Sequence, residues 1–279
     1  MMNKDKLKSL VSKRAKSDSS KSLQLYQMFF FERILRRLSV SEYANHIILK
    51  GGLLLASIIG FDERTTKDMD AVIKGIPLEK EFVENMINEI LTMDLGDGIS
   101  FLITSIEDIR NDDEYGGFRI MIEATLDDMR LYLAIELSAG DVITPREIKY
   151  RYNCIFEEGA IPILAYTIET SLAEKFHALV VRGTLNTRMK DFYDIYILIN
   201  SSKEVIDFTN LAPAIRNTFK NRETKIDLEL IKIDLGEMQQ SSRMSRLWSN
   251  YQKTATYAQD IEYVDLFKAI YRIVELLEQ

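Results

Sequence analysis

Residues 50–70, KGGLLLASIIGFDERTTKDMD, place a glycine pair before an apolar run and end in two aspartates separated by one residue. The β-branched run at 47–49 predicts a short strand, and the apolar run at 53–59 predicts the start of a buried helix. The alternating segment DMDAVIKG, with Val72 and Ile73, predicts a second strand. The glycines therefore lie at a strand-to-helix turn, and the aspartates lie on a strand.

Asp68 and Asp70 share one face of that predicted strand. Their spacing is about 6–7 Å, because a strand rises about 3.3 Å per residue. Two carboxylates so placed supply the hard oxygen ligands that Mg²⁺ prefers, and a two-metal site holds its ions about 3.5–4 Å apart. The pattern predicts two metal ligands, with a solvated strand end as the plainer alternative.

Gly51 and Gly52 expose bare backbone and free N–H groups that could approach a phosphate, although glycines also serve as a simple turn. Arg64, Thr65 and Thr66 add further donors for phosphate oxygens. The spacing matches neither a Walker loop nor an EF-hand. These five residues are therefore predicted to bind a nucleotide.

Glu136 interrupts the apolar run LYLAIEL and is a candidate third metal ligand. A buried, unpaired charge is costly, so this side chain needs a cation or an outward-facing position on a half-exposed strand. Asp141 is a weaker candidate for the third carboxylate. Glu123, on the neighbouring predicted strand, could face either way.

A second group of charged residues lies on predicted helices further along the chain. Lys175 and Arg182 fall on the apolar stripe of the helix that follows Thr167, and charges on such a stripe need partners. The partner of Lys175 is either a structural carboxylate or a triphosphate. Asp191 and Asp194 share a helical face, and they are either catalytic or part of an ion-pair network with the nearby basic residues Lys175, Arg182 and Arg188.

The remaining pattern predicts an α+β protein with two parts. Residues 1–160 are expected to form a mixed sheet with flanking helices, and residues 161–279 an all-helical part. Two alternating runs around Asp127 and Asp128 predict a β-hairpin. Helices are predicted at 4–16, 19–38, 78–92, 168–182, 189–200, 208–222 and 243–278, and further strands at 99–109 and near 161.

Composition excludes several classes of protein. The net charge of −7, from 36 basic and 43 acidic residues, argues against a dedicated DNA-binding protein. One cysteine cannot form an internal disulfide, and with only two histidines it cannot build a zinc site. The N-terminus is basic without an apolar core, and no apolar run is long enough for a membrane span. A cytoplasmic protein without membrane contact is expected.

The glycine pair followed by D-x-D resembles the nucleotidyltransferase superfamily of the DNA polymerase beta type. Four motifs then occur in order: LKGGLLL with RTTKDMD, LAIELSAGD, ETSLAEKFHAL and RMKDFYDI. The series is similar to the AbiEii/AbiGii toxin family, the nucleotidyltransferase-like toxins of type IV toxin–antitoxin and abortive-infection systems. The similarity extends over most of the chain.

The resemblance implies roles for individual residues. Asp68 and Asp70 match the metal-binding D-x-D, and Lys175 matches a lysine that meets nucleotide phosphates. The matches to the glycine pair are Gly51 and Gly52, and those to the acidic fourth motif are Asp191 and Asp194. Many relatives carry aspartate where this chain has Glu136. Some relatives are silenced by phosphorylation of a hydroxyl residue before the first aspartate; Thr65 and Thr66 are the matches here, and Thr66 is the closer by position.

The resemblance also implies an activity and partners. It implies a phage-defence toxin that uses two Mg²⁺ ions to transfer NMP from an NTP to an acceptor, with RNA, and tRNA in particular, favoured. The expected partner is a winged-helix antitoxin of the AbiEi type. The basic segment at residues 4–16, with Arg182, Arg188 and Lys190, would contact RNA phosphates. The alternatives are a nucleotide-binding regulator without turnover and a nucleotidyltransferase that modifies a protein or a small molecule.

Overall fold

A seven-stranded mixed sheet organises the first half of the chain in the computed structural model, which describes residues 2–16, 18–109, 116–200 and 206–279. The strand order is β3-β4-β5-β2-β1-β7-β6. The strands are β1 (Ile47–Lys50), β2 (Asp68–Ile73), β3 (Ile99–Ile109), β4 (Gly117–Leu126), β5 (Met129–Ser138), β6 (Ile148–Asn153) and β7 (Ala160–Ala165).

The sheet is mixed because two of its strand pairs are parallel. β2 pairs antiparallel with β1 and parallel with β5, while β1 also pairs parallel with β7. The pairs β3–β4, β4–β5 and β6–β7 are antiparallel. The strand that carries the two aspartates is therefore a central strand, flanked by the strand that precedes the glycine pair and by the strand that carries Glu136.

Four helices accompany the sheet: α1 (Lys4–Ala15), α2 (Ser19–Val40), α3 (Gly51–Ile59) and α4 (Lys80–Thr92). α2 contacts β5, β7 and α4, whereas α3 contacts β1, β2 and β6. α2 is amphipathic, whereas α3 is strongly apolar and its leucines are fully buried. Burial of this kind stabilises the helix beyond its intrinsic propensity, so α3 is a rigid support for the turn at its N-terminus.

The β4–β5 hairpin closes through a two-residue turn at Asp127 and Asp128. Asp127 has φ of 54°, in the left-handed region that such turns require. Lys4 of α1 forms an ion pair of 2.5 Å with Asp128. The turn fixes the register of the whole hairpin, beginning with Leu126 opposite Met129.

The chain divides into two compact units. The first comprises residues 1–141 and 147–165, and the second comprises residues 142–146 and 166–279. The second unit is helical, with α5 in contact with α6 and α7, and α10 in contact with α6, α7 and α8. Its helices are α5 (Ile168–Arg182), α6 (Met189–Ile199), α7 (Phe208–Asn221), α8 (Leu228–Gln240), α9 (Ser242–Thr254) and α10 (Tyr263–Glu278).

The α+β class and the helical C-terminal part are confirmed, and three local features differ from the sequence predictions. β6 and α8 were not predicted, and the single helix expected at 243–278 is two helices, α9 and α10. The break contains a 3₁₀ turn at Thr256–Ala258, and the Trp248 indole donates a 3.1 Å hydrogen bond to the Ile261 carbonyl across it. Across the ranges that the structure describes, no helix is both long and apolar enough to cross a membrane.

Glu32 of α2 is a buried carboxylate within the first unit. Its Oε1 accepts a 2.6 Å hydrogen bond from the Ile155 N–H, and its Oε2 has no partner among the described residues. Burial raises the pKa of Glu32 from 4.5 to about 7, because desolvation opposes its ionisation more than nearby hydrogen bonds and arginines favour it.

We expect Glu32 to make the protein less stable as the pH rises. A carboxyl with a raised pKa in the folded state contributes its stability below pH 4.5 and loses it as the pH passes through about 7. The raised pKa corresponds to a decline of about 3 kcal/mol in the free energy of unfolding. Urea unfolding between pH 4.5 and 8 should show this decline in the native protein and a flatter profile in Glu32→Gln. Identical profiles would contradict the assignment.

Candidate active site

Four charged side chains stand in one row across four neighbouring strands. Arg119 on β4 is opposite Glu136 on β5, Glu136 is opposite Asp70 on β2, and Asp70 is opposite Lys50 on β1. Residues directly opposite on paired strands project to the same face. Asp68 lies two residues before Asp70 on β2, so it shares this face. The structure thus brings the three predicted metal ligands Asp68, Asp70 and Glu136 together on adjacent strands.

The glycine pair lies directly against the second aspartate. The Gly52 N–H donates a 3.3 Å hydrogen bond to Oδ2 of Asp70, at the first turn of α3. Gly51 has φ of +66°, and a Cβ atom there would overlap the Asp70 carboxylate. Only glycine satisfies both constraints at position 51. The turn therefore places the backbone N–H groups at the start of α3 beside a carboxylate that β2 presents, and the Gly52 N–H is bonded to it.

Gly51→Ala is expected to reduce the nucleotide transfer implied by the sequence motifs by at least about tenfold, because the new methyl group must displace the Asp70 carboxylate. Gly75→Ala is the matched control. Gly75 has φ of +74°, but its Cβ would meet only ordinary contacts with the His46 ring, 3.7 Å away. Thermal unfolding should show a loss from the positive φ in both variants and a larger loss in Gly51→Ala, because its methyl group also meets the Asp70 side chain. Equal transfer rates in both would contradict the role of the Gly51 contact.

The loop before β2 lies close beneath the same turn. Arg64 and Thr66 are buried, with 2% and 3% of their surface exposed, whereas Thr65 is half-buried. A Cβ atom on Gly52 would lie 2.5 Å from the Thr66 hydroxyl oxygen and 3.1 Å from the Arg64 guanidinium. The Thr66 hydroxyl donates to the Asp68 carbonyl at 3.1 Å, and Arg64 donates to the Thr65 carbonyl. Arg64 and Thr66 therefore pack against the turn from inside the protein, whereas the Thr65 hydroxyl is partly accessible to solvent.

Arg119 was not recognised from the sequence as a residue of the site. Its Nη1 donates to Glu136 Oε1 at 2.5 Å, and its Nη2 donates to Asp68 Oδ1 at 3.3 Å. The sequence did contain the information that places Arg119 in the site. Counting outward from the two-residue turn of the β4–β5 hairpin puts residue 119 opposite residue 136. The sequence predicted that Glu136 needs either a cation or an outward-facing position, and the Arg119 guanidinium is a cation that pairs with it.

The alternative third carboxylate, Asp141, is paired differently. Lys50 Nζ lies 2.5 Å from Asp141 Oδ2, and both side chains are largely buried. Glu123, the third acidic residue considered, accepts a hydrogen bond from the Tyr132 hydroxyl at 2.9 Å. Of the three, Glu136 is the one that stands opposite Asp70.

The residues of this face fit a hard divalent cation. Asp68, Asp70 and Glu136 offer carboxylate oxygens, and a positively charged guanidinium already contacts two of the three. Within the described part of the chain, no three His, Cys, Asp or Glu side chains are already arranged to hold one ion. The donor chemistry of these carboxylates suits a hard divalent cation, and in the structure Arg119 contacts two of the three.

A second cluster lies in the helical unit, where α5 and α6 pack together. Lys175 Nζ is 2.7 Å from Asp191 Oδ1 and 2.7 Å from Asp194 Oδ2. Asp194 is fully buried, and the other two side chains are 15% exposed. Lys175 therefore has carboxylate partners within the protein, which is one of the two alternatives that the sequence left open for it. Arg182 is half-buried and Arg188 is exposed.

Carboxylates on adjacent strands beside a turn with exposed backbone N–H groups are the arrangement that nucleotidyl transfer requires. The protein is a nucleotidyltransferase. The family model described as nucleotidyl transferase AbiEii toxin, type IV TA system, matches residues 33–271. The chain therefore belongs to the AbiEii family, as the four motifs indicated.

Two Helicobacter pylori crystal structures resemble the fold. One is described as a candidate nucleotidyltransferase and the other as JHP933; each is 15% identical to this chain, with a TM-score of 0.49. The first match covers 91% of this chain and 96% of that one, and the second covers 91% and 93%. This likeness is too distant to inform the chemistry. No curated protein matches the sequence.

Proposed function

We propose that this protein is a toxin that transfers NMP from an NTP to an RNA acceptor, with tRNA favoured, and that Mg²⁺ is required. The carrying observation is the Asp70 carboxylate, which is hydrogen-bonded to the Gly52 N–H and stands opposite Glu136. This contact joins the predicted phosphate-binding turn to the predicted metal-binding strand in one place.

In the proposed reaction an acceptor hydroxyl attacks the α-phosphorus of the NTP. A new P–O bond forms, the bond to the β-phosphate oxygen breaks, pyrophosphate leaves, and the hydroxyl proton passes to water. Two Mg²⁺ ions, when bound, would lower the pKa of the attacking hydroxyl and neutralise charge on the leaving group. Asp68 and Asp70 would hold them, with Glu136 as the third ligand.

The chain's own groups would orient the nucleotide. The first-turn N–H groups of α3 lack intrahelical partners and suit phosphate oxygens, because the helix dipole is positive at that end. Thr65 is accessible beside this turn, whereas Arg64 and Thr66 would act by supporting it. Lys175 is proposed to meet the triphosphate, with Asp191 and Asp194 fixing its ammonium group in place.

The family belongs to type IV toxin–antitoxin systems, and so the protein is expected to have an antitoxin partner. We propose a winged-helix antitoxin of the AbiEi type, a cytoplasmic location and a role in phage defence. Arg188 and Lys190 remain candidates for RNA contact. In the N-terminal segment, Lys4 pairs with Asp128 and Arg14 donates to the Ile155 carbonyl, so these two contribute to the first unit itself.

Acceptor identity is tested by fractionating the products of one reaction. The purified protein is incubated with Mg²⁺, each α-³²P-labelled NTP and a cell extract, and the label is followed into RNA, protein and small molecules. We expect the label in RNA, and in the tRNA size range. Label confined to protein or to small molecules would replace RNA by those acceptors, and NTP binding without any transfer would favour a regulatory protein.

A further inference from the structure

Arg119 differs from the arginine that has a plainly structural role in the same unit. Arg37 is 1% exposed. It donates two hydrogen bonds of 2.9 Å to Asp97 and a third hydrogen bond to the Ile99 carbonyl. Arg119 is 42% exposed, and its two hydrogen bonds are unequal, at 2.5 and 3.3 Å. The Arg37 guanidinium is fixed by burial, whereas the described residues do not enclose that of Arg119 in a comparable way.

The oxygens that Arg119 contacts are the ones that a metal would use. Glu136 Oε1 and Asp68 Oδ1 accept its hydrogen bonds, and both residues are proposed metal ligands. Mg²⁺ requires close, nearly octahedral oxygen ligands. A guanidinium and a divalent cation would therefore compete for these two carboxylates, because each requires the oxygens at its own bonding distance and the two cations repel each other.

We propose that Arg119 is an internal counter-cation that occupies part of the metal position in the resting protein and lowers its affinity for the divalent cation. It is a positioning residue that acts through Glu136 and Asp68, and this role rests on the proposed function. When the metal binds, the guanidinium leaves these two carboxylates.

The sheet offers the displaced arginine a second carboxylate. Glu107 on β3 stands opposite Arg119 in the β3–β4 register, and so the two side chains project to the same face. Glu107 is exposed. Arg119 is thus flanked by Glu136 on one side and Glu107 on the other, and a change of side-chain rotamer exchanges one partner for the other without movement of the backbone.

The test is the affinity for Mn²⁺, measured without nucleotide by electron paramagnetic resonance or calorimetry. Arg119→Gln removes the competitor, and so we expect Mn²⁺ to bind about tenfold more tightly, the usual scale for one charge-assisted contact. Arg119→Lys keeps the charge but cannot bridge both carboxylates, and its affinity should lie between the other two. Thermal unfolding of each variant establishes that it is folded.

Arg130→Gln is the matched control for the loss of one positive charge. Arg130 lies on the same face of the same hairpin, is 71% exposed and is 3.9 Å from Glu123 rather than in contact with the proposed ligands. Its Mn²⁺ affinity should stay within about twofold of the native value, because an exposed charge at that distance is well screened. A tenfold gain in the Mn²⁺ affinity of Arg130→Gln would show that the effect comes from net charge, and it would overturn the proposal.

Asp68→Asn separates the failure of this inference from failure of the proposed function. If Asp68→Asn weakens Mn²⁺ binding while Arg119→Gln leaves it unchanged, the metal site stands and the role of Arg119 is overturned. If Asp68→Asn binds Mn²⁺ as the native protein does, the metal site itself is wrong and both proposals fall. Weaker binding in Asp68→Asn together with tighter binding in Arg119→Gln supports both.

Discussion

Asp70→Asn is expected to reduce nucleotide transfer about a thousandfold. The proposed metal ions supply several kcal/mol of transition-state stabilisation, and each 1.4 kcal/mol corresponds to a factor of ten in rate. Asparagine keeps the shape of the side chain and an oxygen that can accept from the Gly52 N–H, but it removes the charge. The fold should therefore survive while the transfer of α-labelled NMP is lost.

Asp108→Asn is the control for this prediction. Asp108 is an exposed aspartate on β3 of the same unit, and no metal role is proposed for it. It should retain the native rate, and circular dichroism should show all three proteins to be equally folded. A folded Asp70→Asn protein that transfers nucleotide at more than about a tenth of the native rate would remove Asp70 from the metal site.

Lys175→Met is expected to lower the free energy of unfolding by about 3 kcal/mol and to abolish transfer. The change deprives the fully buried Asp194 carboxylate of a cation at 2.7 Å, and removal of one partner from a buried ion pair typically costs about 3–5 kcal/mol. Urea unfolding measures the first effect, and transfer of labelled nucleotide measures the second. Lys232→Met, which removes a more exposed ion pair with Glu278, should cost less than about 1 kcal/mol.

The double variant Lys175→Met/Asp194→Leu separates stability from catalysis. With the charges of Lys175 and Asp194 replaced by apolar side chains, most of the lost stability should return, because the remaining carboxylate of Asp191 is 15% exposed rather than fully buried. If Lys175 meets the triphosphate, transfer stays absent in this stable protein. Recovery of transfer along with stability would show that the three-residue cluster is purely structural, which is the ion-pair alternative that the sequence left open.

The sequence was sufficient for the centre of the first unit because short-range signals there agree. The glycine pair, the apolar run and the alternating DMDAVIKG each define one element, and those elements are the start of α3, its buried body and β2. The hairpin was equally well determined, since its two-residue turn sets every cross-strand pair. The position of Arg119 opposite Glu136 follows from that turn and could have been found by counting.

Other features depend on tertiary contacts that no local pattern reveals. β6 is the exception, because its sequence IKYRYN alternates Ile148, Tyr150 and Tyr152 with polar residues and so carried a strand pattern that was missed. It pairs with β7 at the edge of the sheet, and Tyr152 is its fully buried residue. α8 contains Gly236, which weakens the helical signal. The contacts of Lys175 with Asp191 and Asp194 depend on how α5 and α6 pack together. Helical spacing placed these side chains on faces and allowed an ion-pair network, but it could not show that Lys175, rather than Arg182 or Arg188, is the partner of the two aspartates.

The most direct test of a nucleotidyltransferase is the fate of two labels on one nucleotide. The protein is incubated with Mg²⁺ and RNA, once with NTP labelled at the α-phosphate and once with NTP labelled at the γ-phosphate. NMP transfer predicts that the α-label becomes covalently attached to RNA, that the γ-label is released as pyrophosphate, and that both outcomes disappear in Asp70→Asn. Attachment of the γ-label to RNA, or no attachment of either label to RNA, would contradict NMP transfer to RNA by this protein.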